Sequence, residues 1–158
     1  MTASGTGTRG TSVDWRRLVP HTGAMRLLSD VLRHDAEETA CGVEIAAQRL
    51  FREADGSVPA WIGLEYMAQC IAVHAALSRA SEEPPPIGFL VSVRGLRFHC
   101  RHFGPAQRLE AVARRIGSGS GGLSSFACSL RDAATGASLA EGRIGCYVPP
   151  TGAQGGSS

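Results

Sequence analysis

The sequence predicts an α+β fold in which an antiparallel sheet wraps one long buried helix, and three observations carry that prediction. Residues 59–77 form an apolar run whose only acid is Glu65. Such a run is a helix buried on nearly every side. Two later segments alternate with a period of two: Phe126, Cys128 and Leu130 against Ser125, Ser129 and Arg131, then Ala140, Gly142, Ile144, Cys146 and Val148 against Glu141, Arg143 and Tyr147. Turn signals close most of the remaining connections as hairpins, so helix and strands are segregated rather than alternating.

Taken in order, residues 1–12 and 150–158 are rich in Thr, Ser and Gly and are expected to be disordered tails around a single domain at 13–149. Residues 25–33 read as a first strand and 39–45 as its partner, with the turn near His34-Asp35. An irregular stretch, 46–58, contains the turn signal Asp55-Gly56 and ends at Pro59, which suits a first helical position. The helix is expected to run to about Ala80, where Pro84-Pro85-Pro86 excludes helix. Residues 87–100 form a long strand and 107–116 another. The Gly117–Gly122 run lacks a following Lys and opens no helix, so it reads as a mobile hairpin loop rather than a phosphate cradle. The small residues Gly63, Ala68, Ala72, Ala75 and Ala76 let the helix lie close to the sheet. One sheet and one helix leave an edge and an apolar flank uncovered, which predicts a two-subunit assembly.

Composition narrows the function classes. A formal net charge of +2 over 158 residues, with scattered arginines and no interleaved aromatics, argues against nucleic acid. Neither end carries a segment long enough for a signal peptide or membrane span, so the chain is expected in the cytoplasm with no membrane partner. The five cysteines are widely spaced without a C-x-x-C pair, and read as buried hydrophobes in a reducing compartment. His99, Cys100 and His102 lie close in sequence, but on a strand the two histidines point to opposite faces, so no metal is expected, and no cofactor.

Glu65 is the prominent candidate residue. Burying a carboxylate costs several kcal/mol unless it is paired or protonated, and burial raises its pKa toward the range of a general acid near neutral pH. A structural glutamate tying down a neighbouring loop is the alternative. Gln69, four residues on, shares its helix face and can hold the carboxylate. His74 on the same helix reads as a hydrogen-bonded core residue, and His34 and His102 as loop positions.

Leu18-Val19-Pro20-His21 followed by Met25-Arg26-Leu27-Leu28-Ser29-Asp30-Val31 resembles the opening signature of the hotdog-fold β-hydroxyacyl-ACP dehydratases. Gly63-Leu64-Glu65-Tyr66-Met67-Ala68-Gln69 resembles their helix motif. The block from Pro59 to Gln69, with Ile87-Gly88-Phe89-Leu90, is most similar to the dehydratase-like hotdog proteins of aryl-polyene and related polyene gene clusters. The resemblance covers residues 18–149. It implies a hotdog fold, a catalytic Glu65, and backbone N–H groups at Ala60 and Trp61 that polarise the thioester carbonyl. The family's histidine lies fourteen residues ahead of the glutamate, where this chain has Phe51. Dehydration needs both a base for the α-proton and an acid for the leaving hydroxyl, and only the second is present.

In the family, histidine and glutamate of one site come from different subunits. The resemblance therefore implies the Glu-donating half of a dehydratase acting on phosphopantetheine-linked chains of an acyl carrier protein, with a second hotdog subunit supplying the histidine. His21 and His99 remain candidates to touch the substrate or replace that histidine. A hotdog acyl-thioesterase and a non-catalytic stabilising subunit are the alternatives; release of free acid marks the first, and activity surviving loss of the carboxylate marks the second.

Overall fold

A computed structural model describes residues 14–79 and 86–150. The tails expected at either end lie outside these residues but for Pro150. The described chain opens with a short helix not anticipated from sequence, α1 (Trp15–Leu18), whose Trp15, with the following Val19, is buried against the long helix. The first strand starts later than expected: β1 is Asp30–His34, and β2 is Glu38–Glu44. Leu27 and Leu28 are buried in irregular backbone because side chains, not a strand, satisfy it. The Leu27 N–H donates to Gln69 Oε1 at 3.0 Å, and its carbonyl accepts from Gln48 Nε2 at 3.0 Å.

Pro59 is not the first helical residue. Val58–Pro59 forms a short strand, β3, a 3-10 turn follows at Ala60–Ile62, and the long helix α2 is Gly63–Leu77 with Ser78 as its C-cap. Ala80, the expected end, lies outside the described residues. The remaining strands are β4 (Phe89–Phe98), β5 (His102–Phe103), β6 (Arg108–Ser118), β7 (Leu123–Asp132) and β8 (Ser138–Tyr147). His102 is thus a strand residue rather than a loop one, and so is His34 at the end of β1. The Gly-Ser run contributes its first residues to β6 and a 3-10 turn at Ser120–Gly122.

Six strands form one sheet in the order β1-β2-β6-β7-β8-β4, every adjacent pair antiparallel, while β3 pairs with β5. Helix α2 lies against β2, β6 and β7. Tyr66, Met67, Cys70 and Val73 of the helix pack into one core with Ala111, Ala113, Cys128, Leu130, Ala140 and Ile144 of the sheet. Close approach requires Gly63, since a Cβ there would sit 2.6 Å from Leu130 Cδ1 and 3.2 Å from Phe103 Cζ. The five cysteines are free, and burial pushes the Cys128 thiol up to about 12. No helix among the described residues is long and apolar enough to cross a membrane.

A polar thread crosses this core. His34 Nδ1 lies 2.6 Å from Thr39 Oγ1, which lies 2.8 Å from Nδ1 of the fully buried His74. The His74 ring also meets Phe126 edge to face, centroids 5.6 Å apart.

Candidate active site

Helix α2 is not buried on all sides. Leu64, Glu65, Ala68, Ala72 and Ala75 form a partly exposed flank. Three of the small residues expected to bring the helix onto the sheet, Ala68, Ala72 and Ala75, instead line a cavity of about 230 Å³ that begins at Glu65. At positions three, seven and ten after Glu65 they continue its face of the helix, and their short side chains leave the cavity its width. Opposite stand Phe89, Leu90, Arg115, Phe126, Cys146 and Val148, with Pro20 and His21 closing the polar end. The result is an apolar slot with a carboxylate and an imidazole at one end, the usual make-up of a small-molecule site. A larger hollow, about 570 Å³, lies on the outer face of the sheet; its lining includes Cys128 and Ser129 but no histidine to act as a base beside them, so the smaller cavity, with its carboxylate and imidazole, is the candidate for chemistry.

Glu65 is held from two sides. Gln69 Nε2 donates to Glu65 Oε1 at 2.9 Å, and His21 Nε2 lies 3.3 Å from the same oxygen. Gln69 is itself fixed: its Oε1 accepts from Leu27 N–H, and its amide nitrogen also donates to the Met25 carbonyl at 2.8 Å. Exchanging the amide oxygen and nitrogen would set donor against donor at Leu27, so the network decides the orientation. Both hydrogen bonds converge on Oε1, which leaves Oε2 without a side-chain donor among the described residues. His21 Nδ1 is buried without a hydrogen-bond partner among the described residues.

The electrostatics overturn one expectation. The Glu65 side chain is 38% exposed, and the hydrogen bond from His21, ahead of the opposing effect of burial, holds its pKa below the ordinary carboxylate value. Glu65 is therefore ionised at neutral pH, not poised as a protonated acid. Sequence reasoning had weighed the helix alone, whereas the partner that sets the charge state comes from 44 residues upstream.

The other predicted residues divide. The Ala60 N–H donates to the Arg101 carbonyl at 2.9 Å, while Trp61, the middle residue of the 3-10 turn, is 64% exposed. His99 does not line the cavity; its Nε2 lies 3.8 Å from Glu141 Oε1. Phe51 has a left-handed backbone (φ +65°), rare for a residue with a side chain, and its exposed ring meets Trp61 edge to face at 6.4 Å. Among the described residues no three His, Cys, Asp or Glu side chains converge as a metal site. Arg115, Phe89 and Leu90 were missed as lining residues, because strand alternation shows which face a residue takes but not that the face borders a cavity.

The model of one protein family, described as ApeP dehydratase, matches residues 13–155. No curated protein matches the chain. Among solved structures, the dehydratase heterocomplex ApeI:P from Xenorhabdus doucetiae is similar at 25% identity and a TM-score of 0.77, over 87% of this chain and 91% of that one. Zebra fish thioesterase superfamily member 2 is similar at 14% identity and a TM-score of 0.61, over 85% and 92% of the two chains. A hypothetical thioesterase with coenzyme A from Streptococcus pneumoniae gives 7% and 0.58, over 75% and 84%. At those two identities the likeness extends to the fold alone. The six-stranded antiparallel sheet around one long helix is the hotdog fold that the sequence motifs implied.

Proposed function

The chain belongs to the ApeP-like dehydratase family, and on that premise we propose that it is the Glu65-donating subunit of a two-chain dehydratase acting on β-hydroxyacyl groups of an acyl carrier protein in polyene or polyketide biosynthesis. The observation that carries this reading is Glu65 at the polar end of an apolar slot, in a chain with Phe51 where a second acid–base residue is needed. The slot's wall on the β4 side is made by Phe89 and Leu90, 53% and 45% exposed, next to Val91 at 53%. Contiguous exposed apolar residues on a sheet edge favour coverage by another chain. The likeness to a dehydratase heterocomplex supports a second hotdog subunit as that cover. A carrier-bound substrate and a cytoplasmic setting accompany the reading.

In this scheme a base from the partner takes the α-proton, the α-carbon's electron pair forms the double bond, and the β-hydroxyl leaves as water with a proton from Glu65. Glu65 is ionised in the lone chain, so its acid role depends on the partner. Covering a 38% exposed carboxylate removes water and raises its pKa. His21 keeps the carboxylate in place across the slot, Gln69 braces it from below, and the Trp61 amide stands at the helix start for the thioester carbonyl, the Ala60 amide being engaged by Arg101.

Reconstitution tests the reading. The purified chain alone should turn over β-hydroxyacyl-ACP poorly, and adding a hotdog chain with the histidine should restore dehydration. Full activity of the isolated chain would overturn the two-chain assignment, and release of free acid would identify a thioesterase instead.

A further inference from the structure

The arginines that look scattered in the sequence are gathered by strand register into one row. Glu38 pairs with Arg114, Arg114 with Ala127, Ala127 with Arg143, and Arg143 with Arg94, so one line of side chains crosses β2, β6, β7, β8 and β4 on the sheet face turned away from α2. Arg131 borders the same hollow of about 570 Å³, whose floor is set by the small residues Ala127, Ser129 and Gly142. None of Arg94, Arg114, Arg131 and Arg143 forms an ion pair among the described residues. Of the acids on this face, Glu38 and Glu110 bind Arg33, and Glu141 Oε1 lies 3.8 Å from His99 Nε2; Glu38 and Glu141 border the hollow without an ion pair to its arginines among the described residues. Four unpaired guanidinium groups on one face of a chain with a formal net charge of only +2 make a concentrated local field.

We propose that this groove binds an acidic α-helical segment of a partner protein. Arg94 and Arg143 are direct cross-strand neighbours, an arrangement that like charges destabilise unless an anion lies between them. A bulge sets it up: the register of β4 against β8 shifts between Arg94 and Arg97, with Gly95 in a left-handed conformation (φ +60°). Neighbouring strands lie about 4.8 Å apart, so Arg114 and Arg143, two strands apart, are separated by about 10 Å and Arg94 follows about 5 Å on. At about 1.5 Å per residue, carboxylates at positions i, i+7 and i+11 of a helix reproduce those intervals. The groove lining includes no aromatic side chain on which bases stack, which favours a protein partner over single-stranded nucleic acid. The proposal rests on the sheet face alone and stands or falls independently of the dehydratase reading.

The probe is a fluorescent 18-residue helical peptide of Ala and Gln with Glu at positions 4, 11 and 15, titrated with the full chain by anisotropy at low salt. Binding should weaken about tenfold or more for the double variant Arg94→Gln/Arg143→Gln, and for a peptide with the same acids spread around the helix. The double variant should melt no lower than the wild type, since the change removes a like-charge pair. On the unaltered chain, bound peptide should protect the groove arginines, and not Arg17 or Arg49, from phenylglyoxal. Equal affinity for both peptides, an unaffected double variant, or absence of protection would overturn the proposal. Tighter binding of an oligothymidylate or of inorganic polyphosphate than of the peptide would also overturn it.

Discussion

His21 Nε2 and Glu65 Oε1 meet at 3.3 Å, bringing a loop residue near the start of the described chain onto the first turn of the long helix. The contact closes the polar end of the slot and sets the charge of the one carboxylate that lines it among the described residues. Because Gln69 holds both that carboxylate and the segment carrying Met25 and Leu27, the two halves of the site are braced by one side chain.

Glu65→Gln keeps the shape and both neighbours but carries no titratable proton. On the reconstituted complex it should lower the single-turnover dehydration rate by about 10²-fold or more. Thermal melting of the lone chain should change little, since there the native side chain is partly exposed and no deeply buried charge is relieved. A preserved rate with collapsed stability would make Glu65 structural.

His21→Gln should let the Glu65 pKa climb back toward or above its ordinary 4.5, because the imidazole is the largest cause of its depression. A ¹³C-carboxyl titration of the labelled chain reads this directly. The sign for stability follows: the wild-type pair contributes above pH 4.5 and that contribution is lost as pH falls through the lowered value, so the variant should show a shallower acid limb below pH 4.5. An unmoved titration would remove His21 from the site.

Burial pushes the His74 imidazole down from 6.5 to about 4. The unfolded chain therefore takes up a proton below pH 6.5 that the folded chain refuses until about pH 4, and stability should fall across that window while remaining unaffected above it. His74→Leu should flatten this part of the curve, as read by urea unfolding at pH 7 and pH 5. An identical pH dependence in the variant would count against the assignment.

Gly63→Ala should destabilise the fold by about 1–3 kcal/mol through overpacking against Leu130 and Phe103, despite alanine's better helix propensity. Urea unfolding at pH 7 measures it, and a stabilised variant would show that the two side chains yield freely.

The helix was legible because nothing else accounts for so long an apolar run, and β7 and β8 because their alternation is clean. β1 was blurred: Leu27 and Leu28 have the burial of strand residues, but the backbone of Leu27 is held by the amides of Gln69 and Gln48. β4 was blurred differently, since the shifts beside Leu90 and at Gly95 break its period of two. Glu65 was found from its surroundings in the sequence, yet its charge state was misread, because the His21 contact spans 44 residues. The arginine row was invisible for the same reason, its members being neighbours only through strand register.

The Thr39 hydroxyl carries a single proton and stands between two imidazole nitrogens, His34 Nδ1 and His74 Nδ1. With one proton to give, it can donate to only one of them, so at least one ring carries its hydrogen on Nδ1 while both are neutral. In the arrangement where the hydroxyl accepts from His34 and donates to His74, the buried ring carries its hydrogen on Nε2, an atom with no hydrogen-bond partner among the described residues. Reversing that arrangement takes three coordinated proton and rotor changes, so one hydroxyl couples the tautomer of an interior imidazole to that of a ring at the surface.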